Sequence, residues 1–130
     1  MVIDSSALLA ILLNEAEASD FLHLIKNATF RQISAASFLE TGMVLHRDAT
    51  GGRLKIFEEL VAELQIAITP VTEQLARSAL DAFSQFGKGS GHRAGLNFGD
   101  CLVYALAKTS NEPLLFKGND FNHTDIPKSV

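Results

Sequence analysis

With 130 residues, 47% of them apolar, and a mean hydropathy of +0.16, the chain is expected to be a single domain, 1–130, with one sizeable core, and disorder is excluded. A net charge of −4 and a pI of about 5.5 exclude a protein that grips nucleic acid by bulk positive charge, though not an enzyme whose carboxylates hold cations. No apolar run approaches the roughly 20 residues needed to span a bilayer, the start MVIDSSALL lacks a basic n-region, and one cysteine fits a reducing compartment, so the cytoplasm is the expected address and no membrane partner is expected.

Met1–Asp4 reads as a very short strand that feeds a helix from Ser5 to Asn14, whose apolar residues cover most of its circumference. A second helix is expected over Ala16–Lys26, with Phe21, Leu22, Leu24 and Ile25 as its buried stripe. Phe30–Ser34 looks extended. Helical periodicity resumes through Phe38, Leu39, Met43, Val44 and Leu45 and again over Leu54–Leu64, with Gly51-Gly52 marking the break. Ile66–Thr69 is β-like and closed by Pro70; Glu73–Phe86 is helical. The glycine-rich loop GKGSGHRAG (Gly87–Gly95) leads into a helical run, LNFGDCLVYALAKT, over 96–109. Pro113–Phe116 reads as a strand and Asp125–Pro127 as a possible last one. Strands alternating with helices predict an α/β sandwich around a short, mostly parallel sheet, with functional groups beyond the C-terminal ends of its strands.

Several acids have ordinary local explanations. Asp4 can cap the helix that follows it, Glu40 stands three residues after Ser37 as in a capping box, and Asp100 stands three after Asn97 in the same way. Asp100 also shares a side with Tyr104 and Lys108, as in a polar stripe, and Asp120 suits the turn KGNDF. Together they point elsewhere. Asp4 and Asp120 follow β-like runs, while Glu40 and Asp100 are expected in the first turns of helices, so one edge of a parallel sheet can gather all four. Converging carboxylates repel unless a cation sits between them, and hard divalent ions such as Mg²⁺ or Mn²⁺ take oxygen-only sites of this kind. Hydrolysis of a phosphodiester is the chemistry such a site supports.

The segments MVIDSSALLAIL, ISAASFLETGMVL, GHRAGLNFGDCLVYALA and PLLFKGNDFNHTDI occur in an order that resembles PIN-domain ribonucleases, specifically the VapC-type toxins of VapBC toxin–antitoxin pairs. The resemblance runs from first strand to last and implies a PIN-like three-layer sandwich and a Mg²⁺- or Mn²⁺-dependent endoribonuclease. It places the family's acidic cluster on Asp4, Glu40 and Asp100. Asp4 and Asp100 would hold the principal ion, and Glu40 would ligate it through water or act as general base. In many relatives the fourth acidic or amide position falls where this chain has Lys117, so Asp120 is assigned as the nearest acid, completing the cluster or acting through water. Ser6 resembles the small hydroxyl residue that follows the first Asp in the family, and capping is its equally weighted ordinary role. A VapB-like antitoxin and a homodimer are also implied, and the dimer would account for helices that look apolar nearly all round.

The loop lacks the order of a P-loop and reads first as a connection; Lys88, His92 and Arg93 in it are candidate contacts to RNA phosphates. Cys101 reads as a packed thiol, His123 as a turn residue, and Lys55 with Glu58, Glu59 and Glu63 as a solvated face. No pair among the four histidines has zinc-site spacing. Two alternatives remain at this level. One is a catalytically silent PIN-like binding module, but the first three acids, Asp4, Glu40 and Asp100, are all present, so nothing in the sequence supports loss of activity. A receiver domain would need a phosphoacceptor Asp at the end of a middle strand, and neither Phe30–Ser34 nor Ile66–Thr69 ends on one.

Overall fold

A computed structural model of the protein describes residues 1–129; Val130, the last residue of the expected domain, lies outside them. The strands are β1 (Val2–Ile3), β2 (Gln32–Ser34), β3 (Ala67–Thr69) and β4 (Leu114–Leu115), all parallel in the order β3-β2-β1-β4. The helices are α1 (Ser5–Leu12), α2 (Ala18–Asn27), α3 (Ala35–Leu45), α4 (Gly52–Glu63), α5 (Glu73–Phe86) and α6 (Phe98–Ser110). Parallel strands need crossovers, and helices supply them on both faces of the sheet.

Such short strands bury both faces by simple alternation. Val2 and Leu114 point into the core formed with α5 and α6, whereas Ile3, Ile33 and Leu115 point into the core under α1 to α4. All five side chains are fully buried, each contributing about 1.5–3 kcal/mol of transfer free energy. This is the expected three-layer sandwich. The chain runs outward from β1 to β2 and β3, then crosses to β4 on the other side of β1. The strand order therefore reverses at β1, the position beyond whose strand ends open α/β sheets place their ligand sites.

Several boundaries differ from expectation. The α1 helix stops at Leu12, because Asn14 takes a left-handed conformation at φ 53°. The α3 helix starts at Ala35 on a Ser34 cap, whose side chain accepts from the Ala36 N–H at 3.1 Å. The Ser37–Glu40 capping box is therefore not formed: Ser37 is buried inside the helix and Glu40 lies in its second turn, not its first. A hydroxyl that directly follows the strand wins the cap over one three residues later. The expected Asp125–Pro127 strand reduces to a single bridge between Leu114 and Lys128, since Pro127 has no N–H for a further rung.

The apolar run of α6 is covered within the chain itself, whereas α1 leaves Leu9, Ile11 and Leu12 half-buried and Leu13 just past its end exposed. Residues 101–107 of α6 are buried throughout, and the free Cys101 thiol packs there as expected. Tyr104 and Lys108 do not form an open stripe with Asp100; Tyr104 donates to Asp125 at 2.7 Å and Lys108 pairs with the same carboxylate at 2.5 Å. Large apolar side chains are instead exposed on α3 (Leu39, Met43), on α5 (Leu80, Phe83) and at Phe98, which is 83% exposed. No described helix is long and apolar enough to cross a membrane.

Candidate active site

The edge of the sheet at the strand-order reversal is formed by the neighbouring ends of β1 and β4. Asp4 follows β1, and its N–H donates to the Leu115 carbonyl of β4 at 2.9 Å. Its carboxylate caps α1, accepting from the Ser6 N–H at 3.0 Å and from the Ser6 hydroxyl at 2.5 Å. The Ser6 oxygen in turn accepts from the Lys117 N–H at 3.0 Å. Ser6 thus ties the first residue past β1 to the chain just past β4, which is a bridging role as well as a capping one.

Asp100 comes from the opposite layer. It forms the expected capping box: its N–H donates to Asn97 Oδ1 at 2.9 Å, and its carboxylate accepts from the Asn97 N–H at 3.1 Å. Glu40 reaches in from the second turn of α3, with its carboxylate beside Gly99. The Ser5 hydroxyl lies near enough to Glu40 to favour its charged form slightly, a neighbour that sequence reading missed; two hydroxyls in succession after Asp4 were its only signal. Asp120 is exposed in the turn that leaves β4, a turn anchored by buried Phe121 against Phe116.

These acids feel one another. The Asp100 carboxyl is pushed up to about 6, by burial first, against the lowering effect of the Asn97 N–H, with Asp120, Asp4 and Glu40 contributing to the rise. Asp4 is also raised, by its burial first, against the lowering effect of its Ser6 hydrogen bonds, with Asp120 adding to the rise. Glu40 is raised by partial burial and then by Asp4. Burial is the largest cause for all three, and the smaller repulsion from neighbouring acids adds to it, as expected where carboxylates lie near one another with no cation between them. Among the described residues, no three acidic, His or Cys side chains already stand at ion-holding distance from one another. An oxygen-only donor set so spaced suits a hard divalent cation that keeps several of its own waters.

A pH prediction follows for the chelator-treated protein. The Asp100 carboxyl binds its proton more tightly when folded (about 6) than its ordinary value of 3.8, so its charged form costs stability. That cost is absent below the ordinary value and grows as pH rises through the folded value. The difference in melting temperature between Asp100→Asn and wild type should therefore increase from pH 4 to pH 7. A flat difference across that range would show that the Asp100 charge carries no such penalty.

The remaining expected positions sit farther out. Lys88, His92 and Arg93 are exposed on the loop before α6, which closes on itself through Lys88 N–H to Leu96 O at 2.9 Å and Leu96 N–H to Phe86 O at 2.8 Å. The His92 ring meets Phe86 edge-on, and its Nδ1 accepts from the Ala94 N–H at 3.0 Å. Lys117 turns to Glu15, with which it forms an ion pair, and to Glu17 at 3.2 Å. These two acids hold β4's exit against the α1–α2 turn, a role no local pattern had indicated.

Fold and site together are those of a small α/β domain with acidic side chains gathered at the C-terminal edge of a parallel sheet. Residues 1–127 match the PIN domain family model. Ribonuclease VapC28 of Mycobacterium tuberculosis is 48% identical over 130 residues, covering 100% of this chain and 98% of that protein. Ribonuclease VapC30 of the same species is 45% identical over 129 residues, covering 97% and 95%. Among solved structures, the sarcin–ricin-loop-cleaving toxin VapC20 of M. tuberculosis superposes with a TM-score of 0.77 at 14% identity over 96% of this chain and 95% of that one. A toxin–antitoxin complex from Klebsiella pneumoniae gives 0.75, also at 14% identity, over 95% and 92%; at such identities the likeness is one of fold. The chain belongs to the PIN-domain family and, within it, to the VapC ribonucleases, toxins of toxin–antitoxin pairs.

Proposed function

We propose that the chain works as one domain, a Mg²⁺- or Mn²⁺-dependent endoribonuclease, and that Asp4, Glu40, Asp100 and Asp120 are its working residues. The observation that carries this reading is the placing of Asp4 at the exit of β1, capped onto α1, with Asp100 in the first turn of α6 and the Glu40 carboxylate beside Gly99, near enough for the Asp100 carboxyl to be raised by both Asp4 and Glu40. Asp4 and Asp100, each fixed by two hydrogen bonds, are the pair suited to hold the ion. A bound ion would neutralise phosphate charge and make water a better nucleophile. Glu40, whose raised proton affinity suits a general base, holds a water of the ion's own shell, so that it both supports ion binding and orients the attacking water and takes its proton. Asp120 adds negative charge from the open side, and Ser6 and Asn97 hold the Asp4 and Asp100 side chains in place. Lys88, His92 and Arg93, exposed on the loop that leads into α6, contact RNA phosphates.

The partners proposed are an RNA substrate, a VapB-like antitoxin and a second copy of the chain, with the cytoplasm as their meeting place. The apolar side chains left exposed on α3, on α5 and at Phe98 support that reading, since large apolar surface on a small domain marks interfaces.

The test is cleavage of a labelled RNA by the purified protein with Mn²⁺ or Mg²⁺, abolished by EDTA and restored by excess metal. A metal-loaded protein that leaves structured and single-stranded RNAs uncut would sink the nuclease reading. Asp120→Asn should slow cleavage by about tenfold, less than the same change at Asp100, because Asp120 is exposed. Equal losses would make Asp120 a direct holder of the ion.

A further inference from the structure

The first turn of α6 contains a residue that helix formation does not explain. Gly99 lies inside the helix, immediately before Asp100. The glycines whose backbones need the left-handed region are Gly51, Gly89, Gly91, Gly95 and Gly118, and Gly99 is not one of them. At a helical position alanine is the better residue, so this glycine runs against local preference. Such conflicts tend to occur where function demands them.

What its missing side chain leaves open is specific. A β-carbon on Gly99 would stand 3.3 Å from Glu40 Oε2 and 3.6 Å from Asn97 Oδ1. The first distance is tighter than an ordinary van der Waals contact; the second is comfortable. The clash therefore falls on Glu40 alone, a residue of a different helix. Because Glu40 is an exposed side chain with a flexible end, it would yield by moving its carboxylate while the fold stays as it is. A few tenths of an ångström matter to groups that act together on one ion and one water.

We infer that Gly99 is a positioning residue: its lack of a side chain sets where the Glu40 carboxylate stands relative to Asp100. The inference rests on the proposed cation site, and its test separates the two.

Mn²⁺ binding by calorimetry and melting temperature without metal are measured for four proteins: wild type, Gly99→Ala, Glu40→Ala and the double variant. Gly99→Ala should melt at or above the wild-type temperature yet bind Mn²⁺ about tenfold more weakly. In the Glu40→Ala background the same change should have no further effect on binding, since the carboxylate it displaces is gone. Gly99→Ser, which carries the same β-carbon, should follow Gly99→Ala. Wild-type affinity in Gly99→Ala overturns the inference, as does wild-type affinity in Glu40→Ala or an undiminished loss in the double variant. A wild-type protein that binds no Mn²⁺ overturns the cation site itself, and this inference with it.

Discussion

Asp100→Asn should lower RNA cleavage by about 10²- to 10³-fold while the protein folds at least as well as wild type. The substitution is close to isosteric. The new amide oxygen can still accept from the Asn97 N–H, now at 3.1 Å, and the residue's own N–H still donates to Asn97 Oδ1, so the start of α6 remains capped. Only the charge is lost. That charge costs stability in the metal-free protein, because it is partly buried and faces Asp120, Asp4 and Glu40. The same charge is what attracts a cation. Stability without metal and affinity for Mn²⁺ should thus move in opposite directions, a combination that a merely misfolded variant cannot produce. Thermal melts, Mn²⁺ titration and a cleavage time course on the same preparation measure all three. A well-folded Asp100→Asn protein that cuts RNA at the wild-type rate would refute the site.

Asp4 should separate two roles by the choice of replacement. Asp4→Asn keeps an acceptor for the Ser6 N–H and so keeps the cap on α1, but removes the charge; cleavage should fall about as far as in Asp100→Asn. Asp4→Ala should lose cleavage equally and in addition lose about 0.5–2 kcal/mol of stability through the missing cap. It also leaves the Ser6 hydroxyl, which accepts from the Lys117 N–H, without its acceptor on the β1 side. The expected cost lies toward the low end, since removing a buried carboxylate recovers part of its desolvation. Urea unfolding of both variants beside their cleavage rates checks this. Equal stabilities for the two would mean that the Asp4 cap contributes nothing measurable to α1.

The local signals in this sequence were strong wherever neighbouring residues satisfy one another. Glu73–Phe86 reads as a helix and is one, and Asn97-x-x-Asp100 reads as a capping box and forms one. Each depends on a few bonds within one turn. The Ser37–Glu40 spacing carried the same pattern and failed, because Ser34, directly at the end of β2, took the cap first. The order of segments nevertheless made the family legible, since a run of short motifs in fixed succession is a property of the chain itself. So did the acid at the end of β1: its carboxylate both caps the next helix and lies at the C-terminal edge of the sheet.

The meeting of the acids belongs to the tertiary structure. Asp4, Glu40, Asp100 and Asp120 come from four separate segments, and no local preference relates them. They converge because the sheet order β3-β2-β1-β4 puts the exits of β1 and β4 side by side, while α3 and α6 pack from opposite faces and bring their N-terminal turns to the same edge. Packing likewise decided that the apolar girth of α6 is satisfied within the chain, that Lys117 serves Glu15 and Glu17, and that a glycine before Asp100 leaves room for Glu40. The sequence by itself determined which acids this protein carries and how each is held in its own turn, because those bonds close within a few residues. Only the folded sheet decided that the acids face one another, because the distance between remote segments is set by how layers pack.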